Sequence, residues 1–193
     1  FAREEKYFQP MDQPAPSFAL SDADGHPVGL AELSGKIVVL NFIYTFCPDI
    51  CPLESERIAS VQRMVNPTPL RDRVRFVSIT IDPVRDLPAV MKDYGARHGL
   101  DPANWSFLTS GADHPAEAIK LSHLYNNRFQ KEADGSFMHG VVFHVIDGAG
   151  QWRGNFHGLD WKPDHLVTFL GDLANPGGNA GNPSLWRRLR NLL

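Results

Sequence analysis

A nearly continuous apolar run, KIVVLNFIY at residues 36–44, is rich in β-branched and aromatic residues and predicts a central strand buried on both faces. VRFVSITI at 74–81 predicts a second strong strand and WSFLT at 105–109 a short buried third. Between the first two, Ile58, Val61 and Val65 share a helical face with Cys51, at offsets of 7, 10 and 14 residues. Glu54, Glu56, Arg57 and Arg63 point elsewhere on that wheel. The pattern predicts a helix from near Pro48 to about Val65, with proline suited to its first turn and Asn66 and Pro67 ending it. Further helices are predicted over 86–98, with Asp86 as N-cap, Pro88 in the first turn and Gly99 as stop, over 115–124, and over 162–173. Strands at 140–146 and 151–156 flank DGAG at 147–150, a hairpin signal. Upstream, residues 14–20 are extended, 21–27 form a turn with Gly25 free to take positive φ, 28–33 return, and Ser34 and Gly35 turn again.

The resulting order is β–β–α–β–α–β–α–β–β–α. It resembles a thioredoxin-like α/β fold: a central mixed sheet flanked by helices, with an N-terminal β-hairpin addition. Residues 1–13 are expected as a polar lead-in, 14–173 as the domain and 174–193 as a flexible tail beginning with NPGGNAGNP. With 193 residues and 42% hydrophobic content, one domain is the default. A net charge of −3 leaves no electrostatic footprint for nucleic acid. The basic cluster Arg187, Arg188 and Arg190 is read as a frayed terminal segment, with a short membrane- or partner-touching helix as the alternative. No apolar run approaches the roughly 20 residues of a membrane span. Because the chain begins at Phe1, a signal peptide or membrane anchor is expected upstream.

The chemistry centres on Cys47 and Cys51, the chain's two cysteines, in the run NFIYTFCPDICP at 41–52. They fall where a central strand meets the following helix, the edge at which reactive groups collect in α/β sheets. A helix N-terminus favours a thiolate, so Cys47 should be the more activated of the two. Spacing i, i+4 brings both sulfurs to one helical face. A buried structural pair, a redox dithiol and a metal site remain open; a redox pair usually has two intervening residues, and here there are three. A metal site needs a further ligand, and two thiolates with one imidazole suit Cu(I), or Zn(II) if a fourth donor appears. Of the eight histidines, His26, His98, His114, His123 and His165 read as turn, cap or surface residues. His144 lies an odd number of residues from His139 and points to the other face as a packed histidine. His157 follows the hairpin without an assigned role. His139 stands apart, because it precedes the strand at 141–146 and directly follows the loop 133–138 that faces the cysteine helix in a thioredoxin-like topology.

Residues 42–52, FIYTFCPDICP, resemble the signature of the Sco/SenC family of copper-binding assembly factors for cytochrome c oxidase. SITIDPVRD at 78–86 with Pro88, and His139 eleven residues before Gly150, resemble two more of its segments. The resemblance covers about residues 14–172 and implies a copper-binding metallochaperone with Cys47, Cys51 and His139 as ligands of Cu(I) or Cu(II). The alternative it leaves is a thiol–disulfide oxidoreductase, with Cys47 and Cys51 catalytic, that reduces the cysteines of the oxidase copper site. The implied partners are the copper-bearing oxidase subunit and other copper chaperones or thiol reductases. The implied location is periplasmic or otherwise extracytoplasmic, often with a membrane tether. Met138 stands where the family often has an acidic residue, and His144 where it often has an aromatic. Asp82 and Arg85 are expected in a loop near the site, with fold-stabilising and partner-recognising roles both open.

Overall fold

The computed structural model describes residues 7–177. Its sheet strands are β1 (Phe8–Pro14), β2 (Ala19–Asp22), β3 (Pro27–Gly29), β4 (Ile37–Ile43), β5 (Val74–Thr80), β6 (Trp105–Thr109), β9 (Val142–Ile146) and β10 (Gln151–His157). They lie in the order β1-β10-β9-β4-β5-β6-β2-β3, with β4, β5 and β6 parallel. The ribbon of β7 (Phe129–Lys131) and β8 (Phe137–His139) forms a separate two-stranded sheet. The helices are α1 (Ile50–Val65), α2 (Pro88–Arg97), α3 (Glu117–Leu124) and α4 (Pro163–Ala174).

All seven residues of β4 are buried, as its unbroken apolar run predicts for a strand covered on both faces. Ile37 and Val39 face a cluster shared with Ile58, Val61 and Val65 of α1 and Leu166, Phe169 and Leu170 of α4. The alternating residues Val38, Leu40 and Phe42 join Leu121 of α3, Tyr125 and Trp152. The hairpin of β2 and β3 adds to the β6 edge, as expected of an N-terminal addition.

Residues 8–13, expected in the lead-in, instead lie in β1, the edge strand antiparallel to β10. Phe8 is the anchor: its ring packs at 5.1 Å from Phe156 and 5.2 Å from Phe169. Gly154 makes room for it, since a Cβ there would sit 2.7 Å from the Phe8 ring. Pro10 and Pro14 are tolerated because the strand is at the edge and its register shifts between Pro10 and Gln13. The expected tail lies largely outside the described residues, including the Arg187, Arg188 and Arg190 cluster.

His144 is fully buried in β9, where Nδ1 lies 2.8 Å from Asn155 Oδ1. Asn155 Oδ1 also accepts from Trp152 Nε1, and Asn155 Nδ2 donates to Gln9. Burial pushes the His144 pKa down from 6.5 to about 4, against the pull of Asn155. The folded protein therefore holds this ring neutral while the unfolded chain protonates it. Its contribution is full above pH 6.5 and is lost as pH falls toward 4, a change on the order of 3 kcal/mol. In His144→Phe the loss of stability between pH 7 and pH 4.5 should be smaller than in the parent by about 2 kcal/mol, read from denaturant unfolding at the two pH values. Equal pH slopes in both proteins would refute it.

Candidate metal centre

β4 carries the chain through Tyr44 into the loop of Thr45, Phe46 and Cys47. This loop is nailed down by Asp86, a buried carboxylate that accepts the Thr45 N–H at 3.1 Å and the hydroxyls of Thr45 and Thr80. The expected N-cap role of Asp86 is thereby corrected: Leu87 holds the cap position of α2 and makes no side-chain cap bond. Two hydroxyls and an amide compete successfully for the carboxylate, which ties the ends of β4 and β5 together. Burial raises the Asp86 pKa, with the threonine bonds opposing.

Helix α1 starts at Ile50, two residues after Pro48, and its Asp49 N-cap makes no side-chain bond. The Cys47 sulfur takes that place, accepting the Cys51 N–H at 3.4 Å. A thiolate is well suited to an orphan N–H at the positive end of a helix. Both cysteines are free and buried, Cys47 at 7% exposure and Cys51 at 0%. Their acidities diverge. The hydrogen bond from Cys51 holds Cys47 far below the usual thiol range, with His139 and the backbone N–H groups of Cys51 and Asp49 adding to it and burial opposing. Burial drives Cys51 far above that range, reinforced by the Cys47 bond and the Glu54 charge.

His139 ends β8, and its ring stacks on Phe129 at 4.6 Å and 21°, with Tyr44 edge-on at 6.3 Å. Its Nδ1 lies 3.2 Å from the Gly140 carbonyl, which can only accept. That commits Nδ1 to the backbone and leaves Nε2 as the ring atom facing Cys51 Sγ at 3.6 Å. The two sulfurs and an imidazole nitrogen all lie within 4.8 Å of one another. Metal–donor bonds of about 2.0–2.3 Å put such donors roughly 3–4 Å apart, so the group fits one ion with little movement. A second, exposed group, Asp22, Asp24 and His26, belongs to the turn between β2 and β3, where Asp22 accepts from the backbone N–H groups of Asp24 and His26.

The three residues singled out in the sequence thus come together. His144 is packed on β9, and His157 bonds Gln9 at 3.0 Å. Glu54, expected to point away, is instead buried at 1% exposure. Burial raises its pKa well above the carboxylic range, with Asn41 opposing and the Cys47 charge adding. Sequence reasoning also missed Phe129, Tyr44 as a support for β8 through its hydroxyl 3.2 Å from Phe137 N, and the β7–β8 ribbon itself. The signal for the ribbon was Asp134 and Gly135, with Gly135 at φ 84° closing a turn like that of Asp147 to Gly150.

A thioredoxin-like sheet carrying two thiols at a strand–helix junction and a histidine on a facing ribbon defines a class of thiol- and imidazole-bearing α/β proteins. Within it the chain belongs to the SCO1/SenC family, whose model matches residues 8–174. The chain is 25% identical over 160 residues to the SCO1 protein homolog of Bacillus subtilis, covering 82% of each. It is 31% identical over 155 residues to the mitochondrial Protein SCO2 homolog of Mus musculus, covering 79% of this chain and 59% of that protein. Among solved structures, a SCO1/SenC family lipoprotein from Bacillus anthracis matches with a TM-score of 0.78 and 27% identity over 86% of this chain and 98% of that one. Bradyrhizobium japonicum ScoI, solved with copper bound, matches with a TM-score of 0.70 and 29% identity over 83% of this chain and 99% of that one.

Proposed function

We propose that this protein binds copper and serves the assembly of cytochrome c oxidase as a metallochaperone. The observation that carries this reading is the convergence of Cys47 Sγ, Cys51 Sγ and a His139 ring nitrogen within 4.8 Å. Two soft thiolates and a neutral imidazole are a donor set for copper. Copper is cargo in this reading. It leaves by stepwise ligand exchange, for which a ligand on a separate ribbon is well placed to let go first. The receiving partner is the copper-bearing subunit of the oxidase, with other copper chaperones or thiol reductases supplying metal or electrons. The similarity to a bacterial lipoprotein and to mitochondrial proteins supports a site outside the cytoplasm and a membrane tether on the full-length protein. Residues 14–173 are the unit that carries this function, with β1 closing its sheet.

A second reading rests on the unequal thiols. The Cys47 thiolate attacks a target disulfide and displaces one target thiolate, and Cys51 then loses its proton and attacks the Cys47 sulfur. Two electrons pass to the target and the pair ends as a disulfide. The test that separates the readings compares the parent with His139→Ala. Metal analysis and a thiol count on reduced parent should give one copper per chain, with both thiols protected. His139→Ala should bind Cu(II) more than about tenfold more weakly while its rate of reducing a model disulfide changes little. Unchanged Cu(II) affinity in His139→Ala would remove the proposed ligand set.

A further inference from the structure

The ribbon that carries His139 is not part of the main sheet: β7 pairs with β8 alone. An isolated two-stranded hairpin is marginal in water, so side-chain tethers must hold it. At its base, buried Phe129 packs edge-on against Phe42, and nearer the turn Tyr44 receives the Phe137 N–H. Its far end, the turn at Gly135, lies beside the loop after β5. There the Arg85 guanidinium does three things at once. It donates to the Gly135 carbonyl at 3.1 Å, pairs with Asp82, and lies over the Phe46 ring at 5.1 Å. Phe46 directly precedes Cys47. Asp86, next to Arg85, anchors the same loop to Thr45.

We propose that Arg85 is a positioning residue for the metal centre: a clasp that closes the His139 ribbon over the cysteine loop and so sets whether the imidazole is in place as third ligand. The inference rests on Cys47, Cys51 and His139 being the copper ligands, and it assigns control of the last. It depends on the shape of the guanidinium, because a fork can donate in two directions while its face covers an aromatic ring. Lysine brings a point charge and cannot make all three contacts. The clasp lies outside the ligand set, so its loss should spare the two thiols and act through the histidine.

The test uses the whole chain, with Arg85→Ala, Arg85→Lys, His139→Ala and the double variant Arg85→Ala/His139→Ala. Arg85→Ala should weaken Cu(II) binding about ten- to a hundredfold, the usual effect of losing an outer-shell support. It should also weaken the nitrogen coupling in the Cu(II) electron paramagnetic resonance spectrum while the thiolate charge-transfer band persists. Arg85→Lys should fall near Arg85→Ala, and full recovery by lysine would overturn the clasp. Added to His139→Ala, the Arg85 change should cost nothing further; additive losses would overturn it. In metal-free protein, amide hydrogen exchange over residues 129–139 should quicken in Arg85→Ala, and unchanged exchange there would overturn the proposal whatever the metal does. If the parent instead fails to bind copper through nitrogen and sulfur, the ligand reading falls, and the exchange measurement alone still decides for or against the clasp.

Discussion

Serine in place of Cys47 or Cys51 is expected to cost more than about a hundredfold in Cu(I) affinity, beyond the loss typical of outer-shell changes. The reason is the donor and not the space. Serine is nearly isosteric with cysteine, but its hydroxyl stays protonated at neutral pH and offers hard oxygen where copper prefers sulfur. The two variants should differ in what else they do. Cys47 Sγ accepts the Cys51 N–H at the start of α1, and a serine hydroxyl is itself a good N-cap acceptor, so Cys47→Ser should keep the helix start intact. Cys51 is fully buried, and a hydroxyl there must find a partner; His139 Nε2, which faces Cys51 Sγ at 3.6 Å, is available. Both variants should therefore fold. Competition against a chromophoric Cu(I) chelator under reducing conditions measures the loss, with unfolding midpoints as the control. A serine variant within threefold of the parent would show that the sulfur it lacks is not a ligand.

The centre of this protein was legible in the sequence for a physical reason. A strand covered on both faces needs an unbroken apolar run, and β4 has one. A helix opening on prolines needs an abrupt start, and Cys47 and Cys51 sit on that start. What stayed hidden were features whose stabilising contacts are distant in sequence. Strand β1 shows one buried ring, Phe8, among polar and proline residues, and only its pairing with β10 makes it a strand. Asp86 stood where a cap is expected, and its hydroxyl partner on the other side, Thr45, lies 41 residues away. Glu54 is the clearest case of residue type masking position. It lies three residues after Cys51, four before Ile58 and seven before Val61, so helical periodicity itself puts it on the buried face, and its charge outweighed its position. Ser55, beside it, is 2.8 Å from the Tyr94 hydroxyl of α2. The β7–β8 ribbon is too short for periodicity to reveal, although its turn residues were in plain view. Asp86, Glu54 and the ribbon each lie within one or two contacts of the thiols or of His139. The supports of the site were therefore less visible than the site itself.

In metal-free, reduced protein, alkylation by iodoacetamide is expected to modify Cys47 at a rate nearly independent of pH between about 5 and 8, while Cys51 stays unmodified. An ordinary thiol, with a pKa near 8.5, reacts roughly tenfold faster for each pH unit over the same range, because only the thiolate attacks. The flat profile follows from the sign of the two shifts. Cys47 is held below the usual range and is already a thiolate at pH 5; Cys51 is held above it and remains a thiol at pH 8. Cys51→Ala removes the foremost stabiliser of the Cys47 thiolate and should move its profile furthest toward alkaline pH, and His139→Ala should move it less. Peptide mapping after a pH series reads both residues, and a profile for parent Cys47 that climbs tenfold per unit would refute the assignment. The same asymmetry fixes the proton count of copper binding. A metal must deprotonate its thiol ligands, and here one thiolate is ready while the other still holds its proton. Binding near pH 7 should release about one proton per copper, and affinity should rise about tenfold per pH unit rather than a hundredfold. Under the proposed ligand set, Cys51, the buried partner with the retained proton, is the ligand through which pH acts on copper release.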